Sequence, residues 1–181
     1  MLENEPILQY AWLYIAIDIR NLEMCKVGIT TRETPIQRIN EGRTTNPFYL
    51  LFNSYDLSKF KLTRKKLMNF ERFVQQRLGA SVSRIVSGSN SEWIRTTPFN
   101  AEQEIDYRIA NDFSSDDELL FDEDGEILEE KFKEIKYPYR PDPFNLSVSS
   151  NLNYEECKIY IDYLMDHHNY PTEPPSFLRR R

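Results

Sequence analysis

The sequence predicts an α+β fold in which a small mixed or antiparallel central sheet is flanked by helices. Two kinds of pattern alternate along residues 10–111. Short apolar runs rich in isoleucine and aromatic side chains are typical of buried strands. Threonine–proline pairs and one stripe of apolar residues at helical spacing are typical of helices. The predicted order of elements is β-β-α-β-α-β-β-α.

Apolar runs between turn residues locate the strands. A nearly continuous run is followed by the polar turn at residues 20–23 and a second run, which together indicate a hairpin. Gly28 in the second run indicates a close backbone approach or a bulge. The predicted strands are residues 10–19, 25–30, 48–55, 82–86 and 91–95.

Cap residues locate the helices. Thr34 and Thr97 each precede a proline, an arrangement that begins a helix. Glycine ends two of the helices, at Gly42 and Gly79. The predicted helices of this body are residues 35–42, 63–78 and 98–110, and a further amphipathic helix runs from about residue 153 to His168.

Charge divides the chain into a mildly basic body and an acidic segment. Residues 1–111 hold 15 Lys and Arg against 12 Asp and Glu, whereas residues 112–134 hold 2 against 11. The basic body permits a polyanionic partner. The predicted organisation is an N-terminal extension (1–9), a compact domain (10–111), an acidic linker or hairpin (112–134) and a C-terminal appendage with one helix and a Pro- and Arg-rich tail (135–181).

Composition excludes several classes of protein. Two cysteines are too few for a disulfide framework, and with only two histidines no zinc cluster of the usual spacing can be drawn. The longest apolar run, residues 11–17, is far short of the roughly 20 residues that span a bilayer. We therefore expect a soluble, cytoplasmic protein with no membrane partner.

Three polar side chains converge on the predicted hairpin and first helix. Tyr14 lies within the first strand, Lys26 in the second, and Arg38 in the helix. Phosphodiester hydrolysis needs an activated water and positive charge over the phosphate oxygens. A phenol or an amine can assist the water, and a guanidinium suits phosphate. Each residue alone is ordinary, and only their order and spacing favour half of a phosphodiester-cleaving site.

Glu71 on the long helix supplies the other half. It falls about 40° around the helix axis from Leu67, at the edge of the apolar stripe. A carboxylate beside a buried face is costly unless a cation satisfies it. Glu71 therefore either extends its carboxylate outward to solvent, pairs with Arg38 or Lys26 in a structural salt bridge, or is a ligand for a hard divalent cation.

These spacings resemble the GIY-YIG endonuclease superfamily, in particular its phage and bacterial branch with lysine in the second motif. Trp12-Leu13-Tyr14 stands in the place of Gly-Ile-Tyr, and Lys26-Val27-Gly28 in the place of Tyr-Ile-Gly. Arg38 follows Gly28 by ten residues, as the family arginine does. Phe70-Glu71 lies where the family's metal-binding glutamate belongs, and Ser91-Glu92-Trp93 matches the end of that branch's domain. The resemblance covers roughly residues 10–100.

The resemblance implies a DNA endonuclease dependent on Mg²⁺ or Mn²⁺. Tyr14 and Lys26 would serve the nucleophile, Arg38 would clamp the phosphate and Glu71 would hold the metal. Asn90 and Asn100 are both available for the asparagine that the family often uses late in the domain. The expected partner is duplex DNA in a bacterial or infected host cell. Cleavage of both strands would imply a homodimer or sequential action.

Basic side chains around the site are candidate phosphate contacts. Such clusters follow phosphates without reading sequence, and they are equally often solvated helix starts. The candidate DNA-binding residues are Arg32, Arg43, Lys59, Lys61, Arg64, Lys65 and Lys66.

Two other interpretations stay open. A catalytically inactive domain of the same kind would bind DNA or protein, and the acidic segment 112–134 could cover its basic surface. Alternatively, Asp124, Glu129 and Lys131 could form the acid-acid-lysine site of another nuclease class.

Overall fold

The computed structural model describes residues 5–83, 87–166 and 173–180. Its strands are β1 (Trp12–Asp18), β2 (Asn21–Thr30), β3 (Tyr49–Asp56), β4 (Ser81–Ser83), β5 (Asn90–Ile94) and β6 (Lys136–Pro138). Its α-helices are α1 (Pro35–Gly42), α2 (Arg64–Leu78), α3 (Pro98–Phe113), α4 (Glu129–Phe132), α5 (Pro143–Ser149) and α6 (Tyr154–Met165). Two 3₁₀ helices cover Ser58–Phe60 and Ser176–Arg180.

One antiparallel sheet organises the molecule. The strand order is β4-β5-β2-β1-β3-β6, and every pairing in the described sheet is antiparallel. The predicted α+β class, with a central sheet flanked by helices, is confirmed.

Both faces of β1 are covered, as its continuous apolar sequence predicts. Leu13, Ile15 and Ile17 belong to the larger core, to which α2, α3 and α6 contribute. Tyr14 and Ala16 point the other way, into a smaller cluster with Ile39 of α1 and with Tyr49 and Leu51 of β3. We call the side of the sheet covered by α1 the α1 face.

Local capping explains the helix boundaries. The Thr63 side chain accepts from the Lys66 amide, and that of Thr97 from the Asn100 amide, so each caps its helix. Gly79 ends α2 with φ 120°, a conformation that favours glycine. Within the predicted strand 82–86, residues 84–86 lie outside the described residues, as do the predicted helix end at His168 and His167.

The C-terminal third packs more closely than an appendage. Strand β6 pairs with β3 and extends the sheet, and Leu120 and Phe132 of the acidic segment lie in the larger core. The Tyr160 hydroxyl of α6 donates to the Ile19 carbonyl at 3.4 Å. The N-terminal extension is also attached, because the Leu8 amide donates to the Leu62 carbonyl. The acidic segment and the C-terminal region thus pack against the body, because their apolar residues fill part of its core. Of the two expectations for the acidic segment, linker or hairpin, a small hairpin is found, in which Phe121 bridges Ile127.

A buried ionic network holds β6 in place. The Lys136 ammonium lies 2.6 Å from a Glu102 carboxylate oxygen and 2.7 Å from one of Asp106. The Tyr55 hydroxyl donates to the Asp106 carboxylate, and the side-chain amide of Asn53 donates to the Glu102 carboxylate. Strands β3 and β6 and helix α3 are joined by these contacts.

Candidate active site

Tyr14 lies flat across β2 because its neighbour is glycine. Tyr14 and Gly28 are direct partners in the β1–β2 ladder, and Tyr14 is 1% exposed. A Cβ atom at Gly28 would lie 2.6 Å from the Tyr14 hydroxyl oxygen and 2.8 Å from Cζ. Gly28 is therefore required by the close packing of the Tyr14 ring, which lets the buried ring carry its hydroxyl into a cleft. A bulge is not found at Gly28, because the register shift of the described hairpin lies between Ala16 and Asp18.

The Tyr14 hydroxyl lies near two polar side chains from other elements. Arg38 of α1 and Tyr49 of β3 are both close enough for Tyr14 to influence their pKa values. Arg38 donates to Glu41 at 3.0 Å. The hydrogen bond to Glu41, and then Tyr14, raise the pKa of Arg38. Burial, reinforced by Tyr14, raises the pKa of Tyr49 far above its usual value, so Tyr49 stays a neutral phenol.

Glu71 lies where α2 covers an open edge of β2. In the described sheet, β5 pairs with β2 only at Cys25 and Lys26. The next backbone groups of that edge need other partners. The Gln75 side chain donates to the Val27 carbonyl at 2.9 Å, and the Glu71 carboxylate lies close enough to the Ile29 amide for that amide to lower its pKa. Glu71 and Gln75 are four residues apart, so one face of α2 satisfies this edge.

The surroundings of Glu71 favour its protonated form. Burial, followed by the negative charge of Glu92, raises the pKa of Glu71 to about 7. The Ile29 amide and the Lys26 ammonium act in the opposite direction. The expected salt bridge of Glu71 with Lys26 or Arg38 is not found among the described residues. Lys26 instead pairs with Glu92, and Arg38 with Glu41.

Three of the four predicted site residues line one cleft of about 470 Å³: Tyr14, Arg38 and Glu71. Glu92 lines it as well. Lys26 lines an adjoining cleft of about 270 Å³, and Arg38 lines both. The ion pair between Lys26 and Glu92 connects the fourth predicted residue to the first cleft. A phenol, a guanidinium and two carboxylates from four elements therefore meet at one place.

Sequence reasoning missed two residues of this site, Glu92 and Tyr49. Glu92 precedes Trp93, the residue opposite Lys26 in the β2–β5 ladder, and its carboxylate forms an ion pair with Lys26. Its only signal is its position within the Ser91-Glu92-Trp93 match, to which no role was attached. Tyr49 stands in an aromatic run in which no pattern separates it from its neighbours. The candidate asparagines, Asn90 and Asn100, are not among the described residues that line the cleft.

The candidate DNA-binding residues fall into two groups. Arg32 and Arg64 line the 470 Å³ cleft, and Arg32 forms an ion pair with Glu41. The others lie away from the cleft. Arg43 donates to the Tyr49 carbonyl at 3.0 Å, and Lys59 pairs with Glu118 at 2.7 Å. The remaining members, Lys61, Lys65 and Lys66, lie just before or within the first turn of α2.

The alternative acid-acid-lysine site is not assembled in the part of the chain that the structure describes. Asp124 lies in a turn, Glu129 and Lys131 lie in α4, and no hydrogen bond or ion pair there joins their side chains. No group of three or more His, Cys, Asp or Glu residues with metal-binding geometry occurs in residues 5–83, 87–166 and 173–180.

A single hard cation nevertheless fits the chemistry of the 470 Å³ cleft, which we call the main cleft. Glu71 offers carboxylate oxygens there, and the like charge of Glu92 is what a cation would offset. Mg²⁺ typically binds one or two carboxylates and keeps several waters. Glu71 is thus a suitable ligand.

Compared with known proteins, the chain matches no protein-family model, no curated protein and no solved structure. None of the helices in the described ranges has the length and apolar character needed to cross a membrane. Function must therefore be inferred from the cleft itself.

Proposed function

We propose that this protein is a metal-dependent DNA endonuclease that hydrolyses phosphodiester bonds, similar to the GIY-YIG enzymes. The observation that carries this proposal is the convergence of Tyr14, Arg38 and Glu71 on one cleft. They come from β1, α1 and α2, more than fifty residues apart at the extremes. Their meeting is what the proposed chemistry requires.

Arg38 would bind the non-bridging oxygens of the phosphate. Its planar guanidinium has several donors, so it can contact phosphate while still pairing with Glu41. Tyr14 lines the same cleft as Arg38, so its hydroxyl faces the space in which that phosphate would lie. Tyr14 is thereby placed to hold the attacking water and assist removal of its proton.

Lys26 would contribute mainly as a cation. Its ammonium pairs with Glu92 and, as an ammonium, can only donate hydrogen bonds. From the adjoining cleft it adds positive charge near Arg38 and helps to orient the water or the phosphate. The Glu92 carboxylate holds it there until substrate arrives.

Glu71 would hold the divalent cation. A bound Mg²⁺ or Mn²⁺ would supply Lewis-acid stabilisation of the leaving oxygen. Positive charge at this position would also favour the ionised carboxylate, offsetting the burial that raises its pKa.

The test is cleavage of supercoiled and linear duplex DNA with Mg²⁺ or Mn²⁺. Glu71→Gln keeps an oxygen acceptor for the Ile29 amide, and Arg38→Ala removes the guanidinium; each should lower the cleavage rate by about 100-fold or more. The matched controls are Glu23→Gln and Arg95→Ala, which change exposed residues elsewhere and should cut normally.

Two results would overturn the proposal. If the wild-type protein binds DNA but cuts none with any metal or substrate, the protein is a DNA-binding module without nuclease activity. Cleavage that survives both substitutions would place the active site elsewhere. Second-order dependence of double-strand breaks on protein concentration would indicate a homodimer.

The masked binding domain is a second candidate, favoured by one specific observation. Lys59 contacts two carboxylates of the acidic segment, Glu118 at 2.7 Å and Glu134 at 3.7 Å. The segment thus already covers one candidate phosphate contact.

A charge-matched pair of double variants tests this masking. Glu118→Gln with Glu134→Gln frees Lys59, whereas Glu123→Gln with Glu130→Gln makes the same charge change at exposed sites. Masking predicts tighter DNA binding for the first pair only. Equal gains in DNA affinity for the two double variants would mean that the acidic segment acts only through its overall negative charge and does not mask Lys59. Deletion of residues 112–181 is unsuitable, since it removes β6 and part of the core.

A further inference from the structure

The adjoining cleft on the α1 face has an aromatic wall. Its volume is about 270 Å³, and Tyr49 and Trp93 both line it. Their rings meet edge to face, with centroids 6.0 Å apart and planes at 63°. Trp93 is half-buried, so one side of the indole is held by the protein while part of it stays accessible. The cleft therefore presents a fixed aromatic surface to solvent.

Packing against glycine fixes the position of this wall. A Cβ atom at Gly42 would lie 2.6 Å from Tyr49 Cε1, so the tyrosine ring occupies the space that a side chain would fill. The same arrangement occurs in the main cleft, where the Tyr14 ring covers Gly28. The α1 face thus carries two tyrosine–glycine contacts side by side, one for each cleft.

Two cations line the same cleft. Lys26 and Arg38 both do so, and the Lys26 ammonium lies 6.0 Å from the centroid of the Tyr49 ring. Arg38 also lines the main cleft, so the two clefts share this guanidinium. A ligand with an anionic group beside a flat aromatic group would satisfy both features. A polynucleotide alternates such groups along its length.

We propose that this adjoining cleft binds an unstacked nucleobase of the DNA strand whose phosphate is held at Arg38, with Trp93 as the stacking partner. The inference deepens the proposed function and rests on it for the identity of the substrate as DNA. Aromatic side chains stack on bases of any sequence. Extruding a base from a perfect duplex costs a few kcal/mol, so unpaired or mismatched nucleotides enter the cleft more readily.

Fluorescence of a base analogue tests the stacking. A short single-stranded oligonucleotide containing 2-aminopurine is titrated with the full-length Glu71→Gln protein, which the proposed function expects not to cut. Binding should quench the fluorescence. Adding Trp93→Leu should abolish most of the quenching and weaken binding by about 5-fold or more. Trp93→Phe should retain much of both effects.

Two controls separate stacking from a folding defect. Trp12→Phe changes the other tryptophan, which packs against Tyr137 and not in this cleft. The protein with Trp12→Phe should bind the oligonucleotide and quench its fluorescence as the parent protein does, the parent being the Glu71→Gln protein with both tryptophans intact. An oligonucleotide with abasic sites should bind the parent protein more weakly and bind the Trp93→Leu protein about as well as the intact strand does. That loss of base dependence would not arise from partial unfolding.

The outcomes distinguish this inference from the proposed function. Equal affinity and equal quenching by the Trp93→Leu protein would overturn the inference, even if Glu71 and Arg38 prove essential for cleavage. Base binding that depends on Trp93, without cleavage by the wild type under any metal, would uphold it and overturn the nuclease proposal.

Discussion

The substitution Lys136→Met tests whether the C-terminal third is part of the folding unit. The Lys136 ammonium forms ion pairs with both Glu102 and Asp106. Its side chain is 10% exposed, and those of Glu102 and Asp106 are 4% and 16% exposed. Methionine keeps most of the volume and removes the charge. Asp106 would then lose the cation that most strongly opposes its desolvation, and Glu102 would lose its ion pair with the same ammonium.

The expected loss of stability is large. Removing one partner of a buried ion pair costs roughly 3–5 kcal/mol, because the remaining charge stays desolvated. For a domain of this size, that corresponds to a fall in melting temperature of roughly 6–20 °C. The total free energy of unfolding of such domains is about 5–15 kcal/mol, so the variant approaches the limit of folding.

Asp106 gives this loss a pH dependence. Burial raises the pKa of Asp106, and Lys136 is the largest influence that opposes this rise. Without Lys136 the pKa of Asp106 in the folded state moves further above its unfolded value. A carboxyl with a raised pKa stabilises the fold while protonated, and that stability is lost as pH rises through the raised pKa. The variant should therefore lose more stability at pH 8 than at pH 5.

Urea denaturation followed by circular dichroism measures these effects. Lys158→Met is the matched control, because Lys158 pairs with Glu155 at 3.0 Å while both side chains are largely exposed. Its loss should be at most about 1 kcal/mol. Restoring neutrality with Glu102→Gln and Asp106→Asn should recover part of the stability of Lys136→Met. A loss for Lys136→Met no greater than that of the control would refute the reasoning.

Three further predictions concern the cleft. Because burial and Glu92 raise the pKa of Glu71 to about 7, the metal-free wild type should lose up to about 3 kcal/mol between pH 5 and pH 8, whereas Glu71→Gln should not. Denaturation at several pH values checks this, and parallel pH profiles would contradict it. Gly28→Ala places a Cβ atom 2.6 Å from the Tyr14 hydroxyl oxygen, so we expect a displaced ring, a loss of about 1–3 kcal/mol and at least about 10-fold slower single-turnover cleavage. Unchanged cleavage would mean that the position of Tyr14 is unimportant. Glu41→Gln should tighten DNA binding by a few-fold in an anisotropy titration, because Glu41 pairs with two arginines of the cleft; weaker binding would make Glu41 a positioning residue instead.

Local signals in the sequence predict most of the fold's first hundred residues. The hairpin follows from two apolar runs around a polar turn, and α1 and α3 begin after the predicted threonine caps. Helix α2 begins one residue after its predicted start at Thr63, which is its cap. These features depend on residues that are close together in the sequence, so they can be predicted from one sequence without knowledge of the tertiary structure. The family resemblance grouped Tyr14, Lys26, Arg38 and Glu71 in one site. Tyr14, Arg38 and Glu71 share one cleft, whereas Lys26 lines the adjoining cleft.

Strand β6 and the partners of Lys26 and Arg38 could not be predicted in this way. Strand β6 has three residues and ends in proline, so its stability comes from pairing with β3 and from the buried contacts of Lys136. The Lys26–Glu92 pair depends on the register between β2 and β5, which no local pattern specifies. Long-range register and buried charge thus explain what the sequence patterns missed.

The ion pairs of the cleft bear on how it would meet a polyanion. Lys26 is held by Glu92, and Arg38 by Glu41, so each cation that the proposed function assigns to phosphate already has a carboxylate partner. Both carboxylates are substantially exposed, at 58% and 41%, which makes these pairs weak enough to exchange. A phosphate that displaces them would leave Glu92 without its ammonium, close to Glu71 in the main cleft. The negative charge of that cleft would then increase as substrate binds, and a divalent cation would be held more tightly with DNA than without it. Substrate and metal binding should therefore be mutually favourable, since coupling between two ligands is reciprocal.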